Sequence, residues 1–190
     1  STLWILLLLA LSTVWHEIGH IQAARTFGLS RISIGAGIYY FISVLFTDMT
    51  ATYLLDKPKR LLIGIAGVYF EWIYVLALLS CSLFFEEQLL AQAGFIVFLK
   101  SLYNLNPFFK TDGYWLLSDF LQIHQLRDRS YQTLLKVVIF KKSLSKTEVL
   151  LVVYALLHLS FYALFILFLI RRLYLHFGDL MGIEMVELNW

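Results

Sequence analysis

The sequence predicts an all-α polytopic membrane protein with about four transmembrane helices and a small membrane-associated β-hairpin or sheet, and three observations carry that prediction. The first is composition: 60% of the residues are hydrophobic, 17% aromatic and only 15% charged, with a mean hydropathy of +0.76. An ordinary soluble domain is far more polar. The second is distribution, because apolar runs recur along the chain and are separated by short charged clusters. The third is a single change of character in residues 30–52, where Ile32, Ile34, Ile38, Tyr39, Tyr40, Phe41, Val44 and Phe46 surround Gly35 and Gly37. Such β-branched and aromatic residues favour strands over helix.

The first helix is expected over residues 2–27, roughly 39 Å at 1.5 Å per residue, with Gly28 placed to end it. It continues through Gln22 and Arg25 without a small-residue cleavage site, so it does not read as a cleaved signal peptide. With no initiator Met and an apolar run starting at Leu3, residues upstream of Ser1 are expected to be missing. Residues 30–52 read as a hairpin or re-entrant sheet. An open strand edge cannot face lipid unpaired, so this segment must lie on protein, at the interface or against another extended chain. A substrate segment could supply that strand; a surface hairpin with no partner fits the residues equally well.

Lys57, Pro58, Lys59 and Arg60 introduce a second span over residues 61–85, and Glu86 and Glu87 mark its far end. A shorter apolar segment, residues 89–103, carries Lys100 near its end, where an ammonium is expected to snorkel to the interface. Residues 110–146 are the most polar stretch, with an interfacial amphipathic helix expected at 131–140, and residues 149–170 make the last clear span. The basic clusters at 57–60 and 110–146 lie on the same side of the second and third spans, which the positive-inside rule makes cytoplasmic. Arg171 and Arg172 argue the other way and are outweighed.

Within the first helix stands His16-Glu17-Ile18-Gly19-His20, an H-E-x-x-H motif. Residues four apart on a helix share a face, so the two imidazoles can aim at one ion while Glu17 works on water beside it. This is the zinc metallopeptidase pattern. The orientation above places it in the cytoplasmic half of the helix. A pair of buried histidines satisfied by backbone carbonyls is the plain alternative, but ionisable residues inside a membrane are expensive and usually functional.

A catalytic zinc takes three protein ligands, so a third is needed. His124, His158 and His176 are the remaining histidines, and Glu71, Asp112 and Asp119 are among the carboxylates. Asp112 is the best placed, since it follows a Pro-containing turn after an apolar segment and is flanked by Gly113, which permits close approach. A lone histidine on an apolar helix, as at His158, more often packs or hydrogen-bonds; His124 and His176 lie in polar or terminal segments and read as solvated.

On these residues the chain resembles the site-2 protease family of intramembrane zinc metalloproteases. That family pairs an H-E-x-x-H helix with a later Asn, a Pro three residues on and an Asp-Gly eight residues after the Asn; Asn104, Pro107 and Asp112-Gly113 stand at those offsets. The resemblance implies that His16, His20 and Asp112 hold one zinc ion, that Glu17 is the catalytic base, and that Asn104 holds substrate or stabilises the oxyanion. It also implies that residues 30–52 match a membrane-embedded β element that receives an extended substrate. Residues 106–130 are further similar to a bacterial subgroup associated with maturation and export of modified peptides. The chain departs from the family at Thr111, where Leu is frequent, at 108–110, which lacks a second Pro, and at Glu71, four residues after Gly67, where the family commonly has Asn. Glu71 is open to three readings: a protonated acid, a partner for Lys100, or a residue behind the zinc ligands that orients His16 or His20.

The whole is expected to be one integral membrane metalloprotease domain, residues 1–190, with a zinc-binding core over about 1–121 and an amphipathic, basic segment plus the last span over 122–190. Its expected partners are the lipid bilayer and a membrane-embedded or membrane-associated peptide or protein substrate, and its expected location is a bacterial cell membrane. A net charge of +2 and the absence of any recognition motif argue against nucleic acid. The lone Cys81 excludes an internal disulfide or a Cys-based zinc site and reads as a small buried residue. A metal-binding, non-proteolytic membrane subunit assisting peptide maturation or export shares every ligand, but has no need of Glu17. A metal transporter would place polar ligands on several spans, and a di-iron oxygenase would need more histidines than the five present.

Overall fold

The computed structural model describes residues 2–30, 32–39, 42–140 and 144–181. They form helices α1 (Thr2–Thr26), α2 (Lys57–Phe85), α3 (Gln88–Asn104), α4 (Asp112–Leu121), α5 (Leu126–Phe140) and α6 (Lys146–Met181), and strands β1 (Ile34–Tyr39) and β2 (Ile42–Thr47). The chain divides into two compact units, Ser1–His124 and Gln125–Trp190.

In the first unit α2 is the central element and packs against α1, α3 and α4. It begins with Pro58 in its first turn, where a missing N–H costs nothing, and ends at Glu86 in the left-handed region (φ 55°). Helices α1 and α2 approach closely. A Cβ on Gly19 would stand 2.6 Å from the Ala66 carbonyl oxygen and 2.9 Å from Phe70 Cγ, so only glycine lets the backbones meet there.

The faces of α1 are inverted relative to a soluble helix. Ser12, His16, Glu17 and His20 are buried, while Leu3, Leu6, Leu7, Leu11 and Val14 are exposed. In water that arrangement would bury the costly groups and expose the favourable ones; in a bilayer it is the expected order. Helices α1, α2 and α6 are long and apolar enough to cross a membrane. A fourth span is not shown: α3 has 17 residues, roughly 26 Å against a hydrocarbon core of ~30 Å. Cys81, expected to be buried, is exposed on α2. In a helix that is apolar all round, hydrophobicity does not say which side meets protein.

The hairpin is antiparallel, with Ile34 opposite Thr47 and Gly35 opposite Phe46. The Phe46 ring lies over the Gly35 backbone in the space a Cβ would need, which gives this two-stranded sheet a packed face. Strand β2 is the one that lies against α1, so the hairpin reaches the motif-bearing helix through its second strand.

In the second unit α5 and α6 pack together. Ser145 and Glu148 form a reciprocal cap at the start of α6: Ser145 N–H donates to Glu148 Oε2 (2.8 Å) and Glu148 N–H to Ser145 Oγ (3.3 Å).

Candidate metal centre

Helical spacing puts His16 and His20 on the α1 face that meets α2, with their Nε2 atoms 3.1 Å apart. Asp112 comes from the first turn of α4 and places Oδ2 2.7 Å from His16 Nε2 and 3.3 Å from His20 Nε2. The chain between α3 and α4 is built to deliver it. Asn106 Oδ1 accepts from Phe108 N–H (2.9 Å), and the Thr111 hydroxyl donates to the Asn106 carbonyl (3.1 Å), closing the turn on itself. A side chain on Gly113 would run into the Leu105 carbonyl, so the Asp-Gly pair lets α4 start hard against the end of α3.

These three residues fit a metal ion by the chemistry of their donors. His20 Nδ1 lies 2.8 Å from the Ile63 carbonyl oxygen. A carbonyl only accepts, so that nitrogen carries the proton and a neutral ring keeps its Nε2 lone pair toward Asp112. His16 Nδ1 likewise faces a carboxylate, Glu71 Oε2 at 3.2 Å. Two lone pairs and a carboxylate oxygen therefore converge, and a cation among them satisfies all three. Space is kept for it: a Cβ on Gly67 would overlap the Nε2 atoms of both histidines.

Glu17 is buried beside this cluster, and its Oε2 accepts from the Thr47 hydroxyl at 2.6 Å. Thr47 ends β2, so the hairpin touches the carboxylate next to the histidines; nothing in its sequence context pointed to it. Glu71 is fully buried on α2, between His16 and Lys100, whose Nζ is 2.7 Å from Glu71 Oε1. Lys100 does not snorkel outward as expected. Its ammonium turns in toward Ser12 and Thr13 of α1, because those hydroxyls and Glu71 offer it partners that the lipid side lacks.

Asn104 is the last residue of α3, half-buried, and makes no side-chain hydrogen bond among the described residues. Asp119 pairs with Arg60 at 3.0 Å, away from the histidines. His124 is exposed and packs edge-on against Tyr53, and His158 sits with its Nδ1 2.6 Å from the Tyr131 hydroxyl. An apolar groove lined by Ile65, Leu105, Leu116 and Phe120 runs between α2 and α4 but does not include the three clustered residues.

Fold and site together define a class: a helical protein with membrane-spanning-length helices and an H-E-x-x-H-plus-Asp cluster able to hold a metal ion. A distant relative agrees with that class. Over 127 residues, 65% of this chain, the sequence is 24% identical to "Putative peptide zinc metalloprotease protein YydH" of Bacillus subtilis (strain 168), and the match spans 50% of that protein. No protein-family profile matches the chain, and no solved structure matches it.

Proposed function

We propose that this chain is an intramembrane zinc metalloprotease of the site-2 type, which hydrolyses a peptide bond within or next to the membrane in a transmembrane or membrane-associated peptide. The observation that carries the reading is the convergence of His16 Nε2, His20 Nε2 and Asp112 Oδ2 beside the Glu17 carboxylate. The zinc-metalloprotease name of the distant relative supports the chemistry, and the inverted faces of α1 support the membrane setting.

In this proposal His16, His20 and Asp112 hold one zinc ion. Bound there, zinc supplies Lewis acidity, which polarises the scissile carbonyl and lowers the pKa of water to about 7. Glu17 takes the proton from water as its oxygen bonds to the carbonyl carbon, then passes that proton to the amine as the C–N bond breaks. Thr47 occupies one Glu17 oxygen with its hydroxyl and leaves the other to receive the proton. An extended substrate pairs along the hairpin, which brings its carbonyl past Thr47 toward Glu17. Asn104, at the end of the helix before Asp112, is assigned to hold the substrate or its oxyanion. The basic clusters at 57–60 and 110–146 support an orientation with the site in the cytoplasmic half of the membrane, which is assigned in this proposal to a bacterial cell. Residues 1–121 form the zinc-binding core, and 122–190 accompany it as an amphipathic segment and further span.

Glu17→Gln tests the reading. It keeps the shape of the side chain and removes the base, so bound zinc is expected to be unchanged and cleavage to fall by ~10² to 10⁴. Mass spectrometry of membrane peptides from cells expressing either form measures it: new peptide termini accumulate with the parent chain and not with the variant. Equal termini from both would contradict a proteolytic role and favour a metal-binding subunit that assists peptide maturation or export.

A further inference from the structure

On the side of His16 away from His20 and Asp112 lies a second polar cluster. Glu71 Oε2 is 3.2 Å from His16 Nδ1, and Glu71 Oε1 is 2.7 Å from Lys100 Nζ. Lys100 donates to Ser12 Oγ at 2.8 Å and Thr13 Oγ1 at 3.0 Å. Those two hydroxyls send their own protons to the Leu9 carbonyl oxygen, at 2.7 and 3.2 Å, so toward Lys100 they can only accept. An ammonium has three donors and no acceptor. Here two hydroxyls accept from it, and a carboxylate with no exposure to solvent stands at ion-pair distance.

The arrangement reads from the outside inward. Ser12 and Thr13 fix Lys100, and the Lys100 charge compensates Glu71. An anionic Glu71 offers His16 Nδ1 nothing but lone pairs. With a metal ion taken up at Nε2, the one remaining His16 proton belongs on Nδ1, where Glu71 Oε2 stands at 3.2 Å to accept it. His20 reaches the same state by a different route, through the Ile63 carbonyl.

We propose that Glu71 and Lys100 are a positioning pair that holds His16 in the tautomer and orientation in which Nε2 can bind the metal. The proposal rests on reading the three-residue cluster as a metal centre. Neither residue touches the reacting atoms; each acts through His16. It also gives a reason for a lysine to point inward from α3, where the same residue could have reached the interface.

Glu71→Gln is the informative variant, because it is nearly isosteric and its amide has one accepting and one donating end. Lys100 accepts nothing and so takes the oxygen, which turns the amide NH₂ toward His16 Nδ1. The ring proton then moves to Nε2 and the ligand lone pair is lost. Full-length protein in detergent micelles, with ¹⁵N-labelled histidine and zinc at a fixed free concentration, reports the tautomer directly. The parent chain is expected to show His16 protonated on Nδ1 with the signal of a metal-bound Nε2, and Glu71→Gln at the same free zinc to lose that signal. Zinc affinity, measured by competition with a chromophoric chelator, is expected to fall about 10- to 100-fold. Lys100→Met removes the compensating charge and is expected to weaken zinc by a similar factor, so it carries the test if Glu71→Gln does not fold. Unchanged zinc affinity in the variants would overturn the proposal, even with a drop in melting temperature, because the pair would then be a packing brace alone. A zinc-loaded parent chain in which His16 is protonated on Nε2 would overturn it with no variant needed. A parent chain that binds no zinc at all would refute the metal-centre reading and the proposal with it, whereas unchanged affinity in the variants refutes the pair alone.

Discussion

His16 and His158 are both buried histidines on apolar helices, and their surroundings differ in kind. His16 has a carboxylate at Nδ1 and a histidine and a second carboxylate at Nε2, all within 3.2 Å. His158 has the Tyr131 hydroxyl at Nδ1 and rings around it, with Tyr162 stacked at 4.7 Å and Tyr154 at 5.8 Å. These neighbours of His158 are phenols, one through its hydroxyl and two through their rings. Two imidazoles and a carboxylate that turn lone pairs on one another need a cation. What distinguishes a ligand from a core histidine is thus the chemistry of its neighbours, not its burial.

The comparison can be broken most sharply at Gly67. An alanine there raises helix propensity by up to ~1 kcal/mol, yet its methyl would occupy the space between the two Nε2 atoms. Gly67→Ala is expected to leave a folded helical protein by circular dichroism and to weaken zinc more than a hundredfold by chelator competition. Full zinc affinity would mean that the ion does not sit among these atoms. His158→Phe is the counterpart. It should leave zinc affinity within twofold and destabilise the protein by about 0.5 to 1.5 kcal/mol, since the half-buried Tyr131 hydroxyl loses a hydrogen bond. A zinc loss in that variant would erase the contrast between the two sites.

A smaller effect belongs to Thr47. Its hydroxyl makes a hydrogen bond to the Glu17 carboxylate, and bonds to charged groups are worth about 1.5 to 3 kcal/mol. Thr47→Val is nearly isosteric and is expected to lower the cleavage rate about tenfold without changing bound zinc, measured by the same terminal-peptide assay as Glu17→Gln. An unchanged rate would remove the hairpin from the work of the base.

Much of this was legible in the sequence where the signal is local. His16 and His20 share a helix face by spacing alone, and the Asn104, Pro107 and Asp112-Gly113 offsets encode a turn whose closure depends on Asn106, Thr111 and Gly113. The hairpin was legible because β-branched residues and glycines interrupt a helical chain. What could not be read depended on how helices cross. Lys100 near the end of an apolar helix looks free to snorkel until α1 is seen to present Ser12 and Thr13 to it. Glu71 was left with three readings because only the crossing of α1, α2 and α3 sets it between Lys100 and His16. Cys81 was misjudged because a lipid-facing surface and a core are equally apolar.

The most direct test of the central claim is the zinc content of the purified full-length chain and of Asp112→Ala, by inductively coupled plasma mass spectrometry after equilibration at a fixed free zinc concentration. His16 and His20 alone leave zinc with two protein ligands, so the account predicts one zinc per parent chain and a marked loss in the variant. Equal zinc in both, or none in the parent chain, would contradict it.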